Sequence, residues 1–112
     1  MDAKKRIEFG DIKLDIDISE LRAKANESFL AEEFVDKGEI ITQQIFKSAN
    51  CEVTLLALSP GARIKEHWHI NDSEWYIFFE AKKIECCPKG ESHSLENPST
   101  TEYLFVLSIK YK

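Results

Sequence analysis

The chain contains three histidines, and all of them fall between Gly61 and Asn97, in the segment GARIKEHWHINDSEWYIFFEAKKIECCPKGESHSLEN. His67 and His69 are two residues apart, Glu74 follows Asn71-Asp72-Ser73, and His93 lies beyond Pro88-Lys89-Gly90. On a strand, residues two apart share a face, so His67 and His69 point one way and Trp68 the other. Turns at the two intervening segments would bring Glu74 and then His93 from neighbouring strands to the same place. Three neutral imidazoles and one carboxylate suit a single divalent transition metal ion, Fe(II), Mn(II), Ni(II), Co(II) or Zn(II). They suit Ca(II) and Mg(II) poorly, because those ions prefer oxygen shells. Four protein donors leave up to two positions of an octahedral ion for water, oxygen or a bidentate substrate. An HxH pair alone is more often two surface or hydrogen-bonded histidines; the full set of four points to a metal.

Other residues share the parity of these four. Tyr76 shares that of Glu74 and is expected to face the interior, where a phenol would donate a proton or orient a substrate; the plainer reading is a packed aromatic with a satisfied hydroxyl. Arg63 and Lys65 share the parity of His67 and His69, which predicts them on the same wall, gripping a substrate carboxylate or phosphate. The plainer reading of both is a strand end in solvent. One of Cys86 and Cys87 faces inward, and their adjacency leaves open which.

The elements that must position these residues are mostly strands. Asp11 to Ile18 alternates strictly between charged and apolar residues, as a half-buried strand does. From Ser19 to about Phe34 the spacing of Leu21, Ala25 and Phe29 predicts an amphipathic helix, with Asp17 or Ser19 as its N-cap. After Asp36-Lys37-Gly38, strands are expected at about 40–47, 51–58, 63–69, 74–80, 83–87, 92–96 and 102–111, separated by Pro-, Gly-, Asn- and Ser-rich turns. The last run, Tyr103 to Tyr111, is apolar at both parities except for Ser108 and Lys110, so it is expected to be covered on both faces. This pattern is that of an antiparallel sandwich or barrel.

A chain of 112 residues with 43% apolar content suits one domain. Within it, residues 1–36 would form a strand and helix packed on a barrel of residues 37–112. The net charge of −5, with acidic residues spread along the chain, argues against nucleic acid and anionic membrane as partners. No signal-peptide pattern and no span of ~20 apolar residues is present, so a cytoplasmic protein is expected. Three cysteines, Cys51, Cys86 and Cys87, form no even disulfide framework, which fits a reducing compartment.

Gly61-x5-His67-x-His69-x4-Glu74 and Pro88-x-Gly90-x2-His93-x3-Asn97 resemble the two short motifs of the cupin superfamily. Eight matched positions make coincidence improbable, on the order of one in 10¹⁰ for a given placement. The resemblance implies an all-β fold, a small cupin jelly-roll barrel (double-stranded β-helix), with His67, His69, Glu74 and His93 on the usual metal-ligand positions. Ala81 stands where a glycine usually closes the first motif and Lys82 where one usually opens the second, and the usual segment between them is absent. A shortened, more open barrel is therefore expected. Trp68 and Trp75, of opposite parity to the ligands, need cover from the helix or a second subunit; with dimers common in the family, a homodimer is expected. The resemblance implies dioxygenase, isomerase, lyase or decarboxylase chemistry. The leading expectation is a metal-dependent enzyme on a small oxygen-rich or anionic molecule, leaning to a dioxygenase-like oxidoreductase. The alternatives are a non-catalytic small-molecule binding or sensing cupin and a metal-dependent isomerase or lyase.

Overall fold

The computed structural model describes residues 4–24 and 35–112. Strand β1 (Lys4–Phe9) pairs antiparallel with β2 (Ile12–Asp17), with Phe9 opposite Ile12, so Gly10 and Asp11 make a two-residue hairpin turn. The alternation noted above accounts for β2, whereas β1 was not expected. Asp17 ends the strand and caps the next element: its Oδ1 accepts a hydrogen bond from the Glu20 backbone N–H at 3.1 Å. Helix α1 (Ile18–Lys24) begins there and buries Ile18 and Leu21. The rest of the expected helix, residues 25–34, lies outside the described residues.

Eight further strands follow: β3 (Val35–Lys37), β4 (Ile40–Lys47), β5 (Cys51–Leu58), β6 (Arg63–His67), β7 (Ser73–Phe78), β8 (Lys83–Cys87), β9 (His93–Glu96) and β10 (Leu104–Tyr111). They form a five-stranded sheet in the order β4-β5-β10-β7-β8 and a three-stranded sheet in the order β3-β6-β9. All pairings are antiparallel. The last strand thus inserts between β5 and β7, a long-range connection of the jelly-roll kind. Among the described residues no helix is long and apolar enough to cross a membrane.

Two core layers hold this arrangement. Between the sheets lie Leu56, Leu58, Ala62, Ile64, Tyr76, Phe78, Leu95 and Val106. On the outer face of the five-stranded sheet, Ile41, Leu55, Ala57, Phe79 and Phe105 pack against Ile7, Ile18 and Leu21 from the hairpin and helix. Phe105 and Val106 point to opposite faces, yet both are 0% exposed. This explains the unbroken apolar run of β10: each face meets its own layer, and each such side chain contributes about 1.5–3 kcal/mol of burial. Cover ends before the tryptophans. The described part of the helix packs on β4 and β2, and Trp68 and Trp75 remain 62% and 38% exposed.

Two turns matter for the site. Between β7 and β8, Phe79 to Lys82 make a four-residue connection, with Phe78 opposite Lys83 and Lys82 at φ 52°. Lys82 therefore adopts the left-handed conformation that favours glycine, at the position where the family motif usually has one. Asn97 is 2% exposed. Its Nδ2 donates to the carbonyls of Leu58, Ser59 and Glu102 at 3.0, 3.1 and 2.8 Å, and its Oδ1 accepts from the Ser99 N–H at 3.0 Å. The second-motif asparagine is thus a staple between the loops that follow β5 and β9.

Candidate metal centre

His67, at the end of β6, pairs directly with His93, at the start of β9. His69 lies just beyond β6, and its carbonyl accepts a hydrogen bond from the Gly90 N–H at 2.9 Å, tying the Pro88–Gly90 turn to the HxH segment. Gly90 sits at φ 80°, which a residue with a side chain adopts only under strain. Glu74 enters from β7 in the facing sheet. One ligand atom from each of His67, His69, Glu74 and His93 lies within 4.8 Å of every other. The imidazole centroids are 4.3 to 5.2 Å apart.

The carboxylate is buried and its two oxygens are used differently. Oε1 accepts the Tyr76 hydroxyl at 2.8 Å and lies 3.0 Å from His93 Nε2 and 3.2 Å from His69 Nε2. Oε2 accepts the Ser108 hydroxyl. Burial alone would raise the Glu74 carboxyl; the imidazoles of His69 and His93 and the Ser108 hydroxyl outweigh it and hold the group well below the usual carboxylate range. Glu74 is therefore ionised at neutral pH. Burial, together with Glu74, pushes the Tyr76 phenol far above its usual value, so its hydroxyl keeps its proton and donates it to Glu74.

The ring nitrogens are arranged for a cation. Nδ1 of His67 is 2.8 Å from the Lys65 carbonyl, and Nδ1 of His93 is 3.4 Å from the Glu91 carbonyl. A carbonyl only accepts, so Nδ1 of His67 carries the proton and its Nε2 presents a lone pair; His93 has an acceptor at each ring nitrogen, the Glu91 carbonyl at 3.4 Å and Glu74 Oε1 at 3.0 Å. Burial and the neighbouring His93 and His69 lower the His67 pKa, favouring the neutral ring despite its bond to Lys65. His93 Nε2 is thus within hydrogen-bonding distance of Glu74 Oε1. His69 Nε2, within 3.2 Å of Glu74 but out of hydrogen-bonding alignment, is buried without a hydrogen-bond partner among the described residues. Neighbouring donors about 2.1 Å from a shared ion and at right angles lie about 3.0 Å apart, close to the spacing that Glu74 Oε1 already keeps from His93 Nε2 and His69 Nε2.

Not every expected residue reaches this cluster. Tyr76 does, through Glu74. Arg63 and Lys65 do not. Ile64 pairs with Leu95 and His67 with His93, so Lys65 and Glu66 on β6 oppose only Ser94 on β9. This β-bulge shifts the side-chain phase by one residue: Ile64 and His67 both point inward although three apart, and Arg63 and Lys65 are exposed. Arg63 Nε donates to Asp36 Oδ2 at 2.6 Å and its Nη1 is 3.6 Å from Glu96, which ties β6 to its two neighbours. The cysteine ambiguity is resolved by pairing: Cys87 lies opposite Glu74 and is half-buried, whereas Cys86 lies opposite Trp75 and is exposed. Burial and Glu74 push the Cys87 thiol up to about 11, so it stays protonated and unreactive.

Two residues of the site were not singled out from the sequence. Ser108 and Lys110, the polar pair of an otherwise apolar strand, lie opposite Tyr76 and Glu74 on the inner face. Opposite Ser108 on its other side, Thr54 buries its hydroxyl with no hydrogen-bond partner among the described residues. A cavity of about 270 Å³ lined by Arg6, Ile7, Glu8, Phe79, Glu80 and Lys82 includes none of these groups.

A double-sheet jelly roll with a buried carboxylate and three imidazoles between its sheets defines a class of protein. No protein-family model matches the chain, and no curated protein matches it. Among solved structures, the chain is similar to a predicted oxalate decarboxylase from Thermotoga maritima, with 21% identity, 67% of this chain and 82% of that one covered, and a TM-score of 0.62. It is similar to a Cupin 2 conserved barrel domain protein from Salinispora arenicola, with 18% identity, coverage of 78% and 88%, and a TM-score of 0.56. It is also similar to the Cnp3 cupin domain of Schizosaccharomyces pombe, with 9% identity, coverage of 100% and 89%, and a TM-score of 0.61. The chain has the cupin fold.

Proposed function

We propose that the chain is a metal-binding cupin whose His67, His69, Glu74 and His93 hold one divalent transition metal ion, Fe, Mn, Ni, Co or Zn, and that it acts as an enzyme on a small oxygen-rich or anionic molecule. The observation that carries this reading is the cluster itself: one ligand atom from each of the four residues lies within 4.8 Å of every other, and the buried His69 Nε2 has no hydrogen-bond partner among the described residues. A bound ion would supply Lewis acidity towards two substrate oxygens and, if iron, a meeting place for oxygen and substrate. The chain's own residues prepare that chemistry. Ser108 and Tyr76 fix the carboxylate of Glu74, and the carbonyl of Lys65 fixes the tautomer of His67. Dioxygenase-like chemistry is the favoured reaction class, because three imidazoles and a carboxylate with open positions suit iron.

Elemental analysis of protein purified without a metal-affinity tag tests the first part. About one transition-metal ion per chain is expected, lost in His67→Ala; folded protein that takes up no such ion overturns it. Oxygen uptake by the iron-loaded protein across diols, diketones, thiols and hydroxy acids tests the second. A second reading, a non-catalytic binding or sensing module, is favoured by the four-residue β7–β8 connection, which shortens the sheet carrying Glu74. Tight ligand binding with no turnover across that panel would select it, and oxygen-independent turnover would select an isomerase or lyase.

A further inference from the structure

The two cations expected beside the metal are turned outward by the bulge in β6, but another lies on the inner face. Lys110, on β10, is directly opposite Glu74 of β7 on one side and Glu52 of β5 on the other. The same cross-strand row continues to Cys87 beyond Glu74 and to Lys47 beyond Glu52. Lys110 is half-buried, whereas Lys47 is exposed and two strands further from Glu74. Two residues from Lys110 and on the same face, Ser108 holds Oε2 of Glu74. The Lys110 charge is close enough to contribute to keeping Glu74 ionised. The next carboxylate in the row, Glu52, receives the Gln44 Nε2 amide at 2.7 Å.

We propose that Lys110 is the specificity-determining residue of the site, pairing with a carboxylate of a small organic acid whose other oxygens take the positions that His67, His69, Glu74 and His93 leave open. The inference rests on the metal-binding reading above and narrows its substrate class to small carboxylates. Charge balance points the same way. A divalent ion beside one carboxylate and one ammonium, with neutral imidazoles, carries two formal positive charges in excess. Glu52 offsets one of them and is already shared with Gln44. A monocarboxylate cancels the remaining charge, a dicarboxylate cancels both charges if Glu52 stays with Gln44, and an uncharged diol cancels neither. An ammonium has three donors on a flexible stem, so it can meet a ligand oxygen while keeping its protein contacts.

Calorimetric titration of the zinc-loaded full chain with malonate, and separately with uncharged imidazole, tests this. Lys110→Met is expected to weaken malonate binding roughly tenfold or more, with zinc content and imidazole affinity unchanged, and Lys110→Arg to restore most of the loss. Unchanged malonate affinity in Lys110→Met overturns the inference. So does a parallel loss of malonate and imidazole, which would place Lys110 as a support of Glu74 alone. Wild-type protein that binds imidazole but not malonate also overturns it, with the metal reading intact. A folded chain that takes up no zinc overturns both.

Discussion

The Ser108 hydroxyl donates to Oε2 of Glu74, while Oε1 of the same carboxylate faces the imidazoles of His93 and His69 at 3.0 and 3.2 Å. The carboxylate is thereby turned so that one oxygen is engaged by β10 and the other is offered to the cluster. Removing that hold leaves the ligand in place with Oε2 unheld and only the Tyr76 hydroxyl, on Oε1, to orient the carboxylate. Ser108→Ala is expected to weaken metal affinity by about 10- to 100-fold and to lower stability by roughly 1–3 kcal/mol, since a buried acceptor loses its partner. Competition with a chelator and urea unfolding measure the two effects. Unchanged chelator competition would remove Ser108 from the metal-orienting role.

Asn97 is expected to matter for stability rather than for chemistry. Its amide satisfies three carbonyls from two loops, and no smaller side chain replaces those donors. Asn97→Ala is expected to cost about 2–4 kcal/mol, read from urea denaturation, with metal stoichiometry of the folded fraction unchanged. A loss below about 1 kcal/mol would mean that water replaces the amide at little cost.

Lys82 occupies a left-handed conformation at φ 52°. A side chain there costs roughly 1–2 kcal/mol relative to glycine, offset by the greater chain entropy glycine loses on folding. Lys82→Gly is expected to raise stability by about 0.5–1 kcal/mol, seen as a higher thermal midpoint.

The metal-free protein is expected to lose stability on acidification in two stages. The His67 pKa in the folded chain is below its usual 6.5. Below about that pH the unfolded chain binds the proton more readily, so stability falls as pH drops through this window. Glu74 is held below its usual 4.5, so its contribution is present above that value and is lost as pH falls further, through its folded pKa. Thermal unfolding of metal-free protein between pH 7.5 and pH 3.5 measures this. In His67→Gln the first stage is expected to shrink and the second to remain.

Strands β4, β5 and β8 could be read from the sequence residue for residue, because alternation and turn residues are local signals. β1 could not: its alternation spans little beyond Arg6-Ile7-Glu8, and it forms a strand by pairing with β2. The four clustered residues were legible from type and spacing. The phase of Arg63 and Lys65 was not, since the bulge arises from pairing with β9, some thirty residues away along the chain. Ser108 and Lys110 were visible as polar interruptions, but their place beside Glu74 depends on β10 inserting between β5 and β7. The cysteine facing the site, Cys87, required the same knowledge, namely which residue of β8 stands across from Glu74.

The bulge in β6 lets one short strand anchor the core with Ile64 and present His67 only three positions later. Side-chain identity at Lys65 and Glu66 is consequently open to drift, since both are exposed. The number of residues between Ile64 and His67 is not. Deleting one would straighten the ribbon and rotate the imidazole out to water, so in this segment the protein tolerates substitutions and is brittle to deletions.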